Sequence, residues 1–187
     1  MVDTPLGAMR AAAEDQTECS SADDSLPADG SRPAAICGLW FIGQKYFPHN
    51  TETWVETPLL PVFIQLGIWL EEYFNSKIPE KNVPLAPAGT IFQQAVWKLL
   101  QEIPFGETIT YGGIADKLRS GGAKASAQAV GGAVGHNPIS ILIPCHRVVG
   151  ADSSLTGYAG GIDKKRALLE LEKRIMTKAA LDKRPGQ

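Results

Sequence analysis

Apolar residues recur at helical spacing in several stretches of the chain. Between Pro58 and Lys77, the residues Leu59, Val62, Phe63, Leu66, Trp69, Leu70, Tyr73 and Phe74 predict an amphipathic helix, with Pro58 and Pro61 suited to its first turn. From Thr90 onward, Phe92, Val96, Trp97, Leu99, Leu100 and Ile103 form a second apolar face. The Thr90-x-x-Gln93 pair reads as a capping box at its start, and Pro104 and Gly106 stop it. Thr110 is placed to cap a short helix, Tyr111 to Leu118, with Ile114, Ala115 and Leu118 inward, and after the turn RSGGAK, Ser126 is placed to cap another, Ala127 to about Gly135. Two short helices joined by a glycine turn make a helix-turn-helix pattern, which by spacing alone is common among helical proteins. A last amphipathic helix is expected from about Asp163 to Arg174, with Lys178 to Gln187 as a frayed basic tail.

Strand patterns are shorter. Thr4 to Ala13 and Ala35 to Ile42 (AICGLWFI) predict a hairpin. Its connection, Gln16 to Pro33, is acidic, rich in Ser, Asp, Pro and Gly, and without periodicity, so it predicts a flexible loop. The segment IPEKNVPLAPAG, ending at Gly89, predicts an extended linker and a domain boundary.

Composition changes this picture in two ways. Three widely spaced cysteines (Cys19, Cys37 and Cys145) and no secretory leader pattern point to free thiols in a reducing, cytoplasmic setting. The best membrane-span candidate is interrupted by Pro61, Gln65, Gly67 and Glu71, so no membrane partner is expected. The net charge of −2 conceals an asymmetry: residues 1–89 carry 5 Lys/Arg against 12 Asp/Glu, and residues 90–187 carry 13 against 8. A polyanion would dock on the C-terminal half; an ordinary solvated surface with a basic tail gives the same count.

Chemistry concentrates after the third short helix. That helix reads AQAVGGAVG, and adjacent glycines inside a helix cost roughly 1 kcal/mol each relative to alanine. Such a small-residue face serves tight helix packing, or close approach to a ligand backbone or the narrow minor groove. His136-Asn137-Pro138 ends the helix, and ILIPCHRVVG follows at 141–150. Three roles are open for Cys145. It could be a buried structural thiol, the common case. It could be a metal ligand, for which the scattered cysteines and histidines offer no paired spacing. Or it could be a nucleophile, with His146 as base and Glu172 orienting the imidazole. Adjacent side chains on an extended segment point apart, so that last role requires a turn or a bridging water.

PCHRV, with AVGGAVGHNP upstream and GYAGG downstream, resembles the methylated-DNA–protein-cysteine S-methyltransferases, the O6-alkylguanine-DNA alkyltransferases. The similarity is dense from Thr90 to Glu172 and fainter in TPLG and GLWFIGQKYF. It implies an α+β protein in two domains. Residues 1–86 would form an N-terminal α/β domain with a small antiparallel sheet. Residues 87–175 would form a helical, winged-helix-like DNA-binding and alkyl-acceptor domain, followed by a basic tail, 176–187.

It also implies a monomer acting on double-stranded DNA through the minor groove, without cofactor; some relatives bind zinc in the N-terminal domain, but Cys19, Cys37 and His49 do not make a matching set, so no metal is expected. An O6-alkylguanine, or an O4-alkylthymine, would be flipped into a pocket, and its alkyl group would pass irreversibly to Cys145. On this resemblance His146 deprotonates Cys145 through water, and Glu172 orients His146. Tyr111 donates to guanine N3, and Asn137 ties the recognition helix to the active loop. The carbonyls of Cys145 and Val148 face the guanine 2-amino group, the Ala159 amide faces O6, and Tyr158 lines the wall. Ala127, Gln128, Ala129, Gly131, Gly132 and Lys124 face DNA.

Two departures stand out. Gln128 occupies the place of an arginine common in the family, which predicts weaker base extrusion or weaker non-specific affinity. The acidic loop at 16–33 looks like an insertion. Arg147 is expected to pair with Asp152 or Asp163, leaving Lys124, Arg119 and Lys164 as phosphate contacts. The rival functions are a non-catalytic lesion-binding relative, which would lack Cys145, a cysteine hydrolase, and a helix-turn-helix regulator, which would carry polar recognition side chains.

Overall fold

The computed structural model describes residues 1–14, 34–49, 51–79 and 82–182. The acidic loop expected at 16–33 lies outside the described residues, as do Cys19 and residues 183–187. The molecule is α+β. Strands β1 (Met9–Glu14) and β2 (Ala35–Phe41) pair antiparallel, with the register shifting between Ala12 and Ala13. β2 is buried along nearly its whole length, which explains its continuous apolar run rather than an alternating one. Gly38 is required there, because a Cβ would sit inside the Trp40 ring.

Helix α1 (Pro61–Phe74) carries Pro61 in its first turn and buries Val62, Leu66, Leu70 and Tyr73. It starts later than the sequence pattern suggests, and Leu59 lies in solvent. α2 (Ile91–Gln101) opens on the predicted capping box: the Gln93 amide donates to the Thr90 hydroxyl at 3.2 Å, and the Thr90 amide donates to the Gln93 side chain at 2.9 Å. Its buried residues are Val96, Trp97 and Leu100, each contributing roughly 1.5–3 kcal/mol of apolar burial. The Trp97 indole donates to the Ala133 carbonyl at 2.9 Å and locks α2 against the helix that bears it.

That helix is α4 (Ala127–Gly135), capped by Ser126, and it follows α3 (Tyr111–Ser120), capped by Thr110. Both caps were predicted, and both hydroxyls accept from an amide three residues on. α3 and α4 form the helix-turn-helix. Two two-residue strands, β3 (Ile109–Thr110) and β4 (Val148–Val149), pair in parallel and bring the segment after Cys145 beside the start of α3.

Helix α5 (Ile162–Asp182) runs on past Arg174, where a frayed tail had been expected to begin soon after. Its buried stripe is Lys165, Leu168, Leu171, Glu172 and Ile175, so two charged residues share the face turned to the core. Apolar residues of both halves form one continuous core. Among the described residues no helix is long and apolar enough to cross a membrane.

Candidate functional site

The turn that the nucleophile reading required is present. Cys145, His146 and Arg147 form a single 3₁₀ turn, and all three are buried. In such a turn consecutive side chains diverge by about a third of a rotation instead of alternating, so three neighbours can reach three different sets of partners. Ile141, just upstream, holds φ +72°, a costly conformation for a β-branched residue at about 1–3 kcal/mol.

Asn137 fixes this segment. Its side-chain oxygen accepts from the Ile139 amide at 3.0 Å. Its amide nitrogen reaches the carbonyls of Ile139 (3.2 Å) and Ile143 (2.8 Å) and the Cys145 sulfur (3.0 Å). One side chain thus joins the end of α4 to the thiol. Burial pushes the Cys145 thiol up, and the Asn137 contact and the Lys165 charge oppose that shift. The thiol therefore stays protonated at rest and needs a base at the moment of reaction.

His146 is fully buried, with Nε2 at 2.8 Å from a Glu172 carboxylate oxygen. A carboxylate only accepts, so Nε2 carries the proton and Nδ1 is the free basic nitrogen. Nδ1 is buried without a hydrogen-bond partner among the described residues. Burial lowers the His146 pKa below its ordinary 6.5, and Glu172 works against that lowering. The imidazole is accordingly neutral and able to accept at neutral pH.

Glu172 is the hub. Burial alone would raise its pKa, but hydrogen bonds and charge from His146 and Arg147 overcome this and hold the carboxyl at about 2. Arg147 grips it bidentately through Nε and Nη2, both at 2.9 Å, while Nη1 donates to the Ile103 carbonyl at 2.7 Å. The expectation that Arg147 pairs with Asp152 or Asp163 is therefore corrected. Asp163 is exposed and near Arg166, Asp152 accepts from the Ser154 amide, and among the described acidic residues only Glu172 is buried. Tyr73, from α1, also donates to Glu172 at 2.9 Å.

Across from the thiol, the Tyr111 hydroxyl donates to the Thr156 carbonyl at 3.0 Å. Burial raises its pKa, with Thr156 opposing and Cys145 reinforcing, so the phenol remains a donor. Lys165 is fully buried and donates to the carbonyls of Val148 (2.5 Å) and Thr156 (2.6 Å). Burial lowers its pKa to about 8. The Val148 carbonyl, expected to face a base, thus already spends one lone pair on Lys165 and keeps the other. The Cys145 carbonyl accepts from the Val148 amide. Tyr158 is buried, and Ala159 is half-buried beside it. Gly157, at φ +67°, leaves room for the Tyr111 hydroxyl, which a Cβ would meet at 2.7 Å.

On α4, Ala127, Gln128, Ala129 and Gly132 are exposed, Gly131 is half-buried, and Val130, Ala133 and Val134 face the core. Lys124 is exposed in the preceding turn. Arg119, still half-exposed, is bound to Asp116 and to the Ala125 carbonyl, and Lys164 lies over the Phe41 ring, so two of the three expected phosphate contacts also have partners within the protein. Tyr73, Lys165 and the true partner of Arg147 were missed from sequence. Lys165 and Glu172 stand seven apart on one helix face, and that spacing is the one signal that could have found the lysine. Among the described residues no group of three His, Cys, Asp or Glu is placed to hold a metal ion.

The chain is similar to proteins of known function. Residues 91–174 match the family model of the 6-O-methylguanine DNA methyltransferase DNA-binding domain. The chain is 50% identical over 140 residues to a methylated-DNA–protein-cysteine methyltransferase of Haemophilus influenzae, covering 74% of this chain and 75% of that one. It is 49% identical over 140 residues to the Mycobacterium tuberculosis protein of the same name, covering 75% and 81%. The crystal structure of Mycobacterium tuberculosis OGT in complex with DNA aligns with a TM-score of 0.74 at 40% identity, over 93% of this chain and 91% of that one.

Proposed function

Because the chain belongs to the methylated-DNA–protein-cysteine methyltransferase family, which repairs DNA directly by alkyl transfer to a cysteine, we propose that Cys145 is its acceptor and that O6-alkylguanine is its lesion. The observation that carries this is the buried set Cys145 and His146 on one 3₁₀ turn with Glu172 of α5 against the His146 ring, leaving His146 Nδ1 free to accept. A water bridging Sγ and Nδ1 passes the thiol proton to His146, and Glu172 and Arg147 hold the ring in the tautomer that can receive it. The thiolate attacks the alkyl carbon. The S–C bond forms as the C–O6 bond breaks, and the electron pair moves into the purine. Tyr111, donating toward N3, and the Ala159 amide, facing O6, stabilise that charge. The thioether has no route back to thiol, so each molecule acts once.

DNA is the partner. The proposed docking face is the exposed side of α4, Ala127, Gln128, Ala129, Gly131 and Gly132, with Lys124 nearby, seated in the minor groove while the lesion is turned out of the stack. The protein would act as a monomer with two units, 1–86 and 87–175. Incubation with duplex DNA bearing O6-methylguanine, followed by mass spectrometry, tests the reading. One methyl group per protein is expected, located on Cys145 and lost in Cys145→Ser. Turnover without an adduct, or an adduct elsewhere, rejects it.

A further inference from the structure

The motif GLWFIGQKYF lies in the N-terminal half, and the relay described above uses none of it. Its strand portion, β2, docks onto the segment that feeds Cys145. The Leu39 amide donates to the Pro138 carbonyl and the Ser140 amide donates to the Leu39 carbonyl, both at 2.8 Å. The turn that follows reaches further. Gln44 is a buried, uncharged polar residue at 8% exposure. Its side-chain oxygen accepts from the Phe41 amide at 2.9 Å and from the Ser140 hydroxyl at 3.3 Å. The next residue, Lys45, donates its backbone amide to the Ala159 carbonyl at 3.1 Å. Gly160 lets the same wall close on β2, since a Cβ there would lie 3.0 Å from the Phe41 ring and 2.9 Å from the Tyr158 ring.

One turn therefore holds two segments that are close in space and distant in sequence. Residues 138–146 carry the thiol, and residues 157–160 carry Tyr158 and Ala159. We propose that Gln44 is a positioning residue for alkyl transfer: with Lys45 it ties the thiol-bearing segment to the opposite pocket wall and sets the gap between them. This rests on the reading that Cys145 is the acceptor and that Tyr158 and Ala159 line its pocket. A buried glutamine suits the task. Its oxygen has two lone pairs, for one partner within its own turn and one on the far segment. Buried hydrogen-bonded groups fix a geometry that apolar contact alone leaves adjustable. Reaction rates depend steeply on such geometry, because the attacking sulfur and the alkyl carbon must meet in line.

The test is single-turnover transfer from duplex DNA carrying O6-methylguanine, measured across DNA concentrations with full-length protein. It separates the maximal rate from the half-saturating DNA concentration. Gln44→Met keeps the chain length and removes the acceptor; Gln44→Glu keeps an acceptor oxygen whether protonated or not. Gln44→Met is expected to lower the maximal rate about tenfold, with half-saturation within about twofold of the parent, and Gln44→Glu to recover most of the loss. A Gln44→Met protein with the parent maximal rate, a loss confined to half-saturation, or a Gln44→Glu protein as slow as Gln44→Met each overturns the proposal. Should Gln44→Met not fold, Ser140→Ala decides, since it removes the same link from the other side. A maximal rate about threefold down supports the proposal, and an unchanged one overturns it. A parent protein that takes no methyl on Cys145 sinks the underlying reading instead, and the two failures are thereby distinct.

Discussion

A carboxylate cut off from water needs donors, and Glu172 has five: Tyr73, His146, the backbone of Gly106, and two from Arg147. Arg147 balances its charge, so His146 need not be protonated to do so. That division of labour keeps His146 neutral and basic inside the protein. Burial puts its pKa below the ordinary 6.5, so the folded protein holds the neutral ring at pH values where a free imidazole is already partly charged. The single-turnover transfer rate at saturating DNA should therefore fall to half only at a pH below 6.5, as Nδ1 takes a proton and loses its acceptor. A pH–rate profile checks this; a midpoint at or above 6.5 contradicts it. Asn137, Cys145 and His146 stood out in the sequence because they fall within ten residues of one another, whereas Glu172 lies 26 residues beyond His146, on the last helix. Tyr73 was legible only as a helix-face aromatic, since its partner lies 99 residues away and no local pattern encodes that contact.

At the scale of elements, the helices were legible where their ends carry their own chemistry. The hydroxyls of Thr90, Thr110 and Ser126 each satisfy an amide that would otherwise be orphaned, and each helix starts where the sequence places it. α1 and α5 were misjudged at their ends, where Leu60 at the N-cap of α1 makes no side-chain cap bond and no glycine or proline follows Arg174 until Pro185. α4 is the informative helix. Gly131 packs near the Tyr111 ring, but a Cβ on Gly132 would meet nothing within 4 Å. Packing within the protein therefore does not require glycine at 132, although a helix prefers alanine there by about 1 kcal/mol. If the exposed side of α4 enters a minor groove, the absent methyl group matters to DNA. Gly132→Ala should raise unfolding stability by about 0.5–1 kcal/mol and weaken DNA binding at the same time. Denaturant melts and a binding titration on one sample check both; stabilisation with unchanged DNA affinity would remove α4 from the interface.

For the whole molecule, the charge asymmetry needs correcting for depth. The C-terminal half is basic by count, yet Arg147 and Lys165 are buried, Arg119 is paired with Asp116, and Lys164 lies over Phe41. Cations that serve the fold do not release counterions from DNA, so the count of Lys and Arg overstates the electrostatic grip. Affinity should weaken with salt less steeply than the residue count suggests, each phosphate neutralised contributing a slope of about −0.9 in log affinity against log salt. Gln128 sharpens the point, because it places an uncharged side chain on the exposed face of α4. Gln128→Arg adds one cation at that face without disturbing the core. It should tighten DNA binding at low salt and steepen the slope by about one phosphate's worth. The maximal transfer rate should rise only if extrusion of the base limits it. A titration across salt concentrations, run beside single-turnover kinetics, separates the two effects. An unchanged slope would mean that residue 128 meets no phosphate, and an unchanged rate with a steeper slope would assign Gln128 to affinity rather than to flipping.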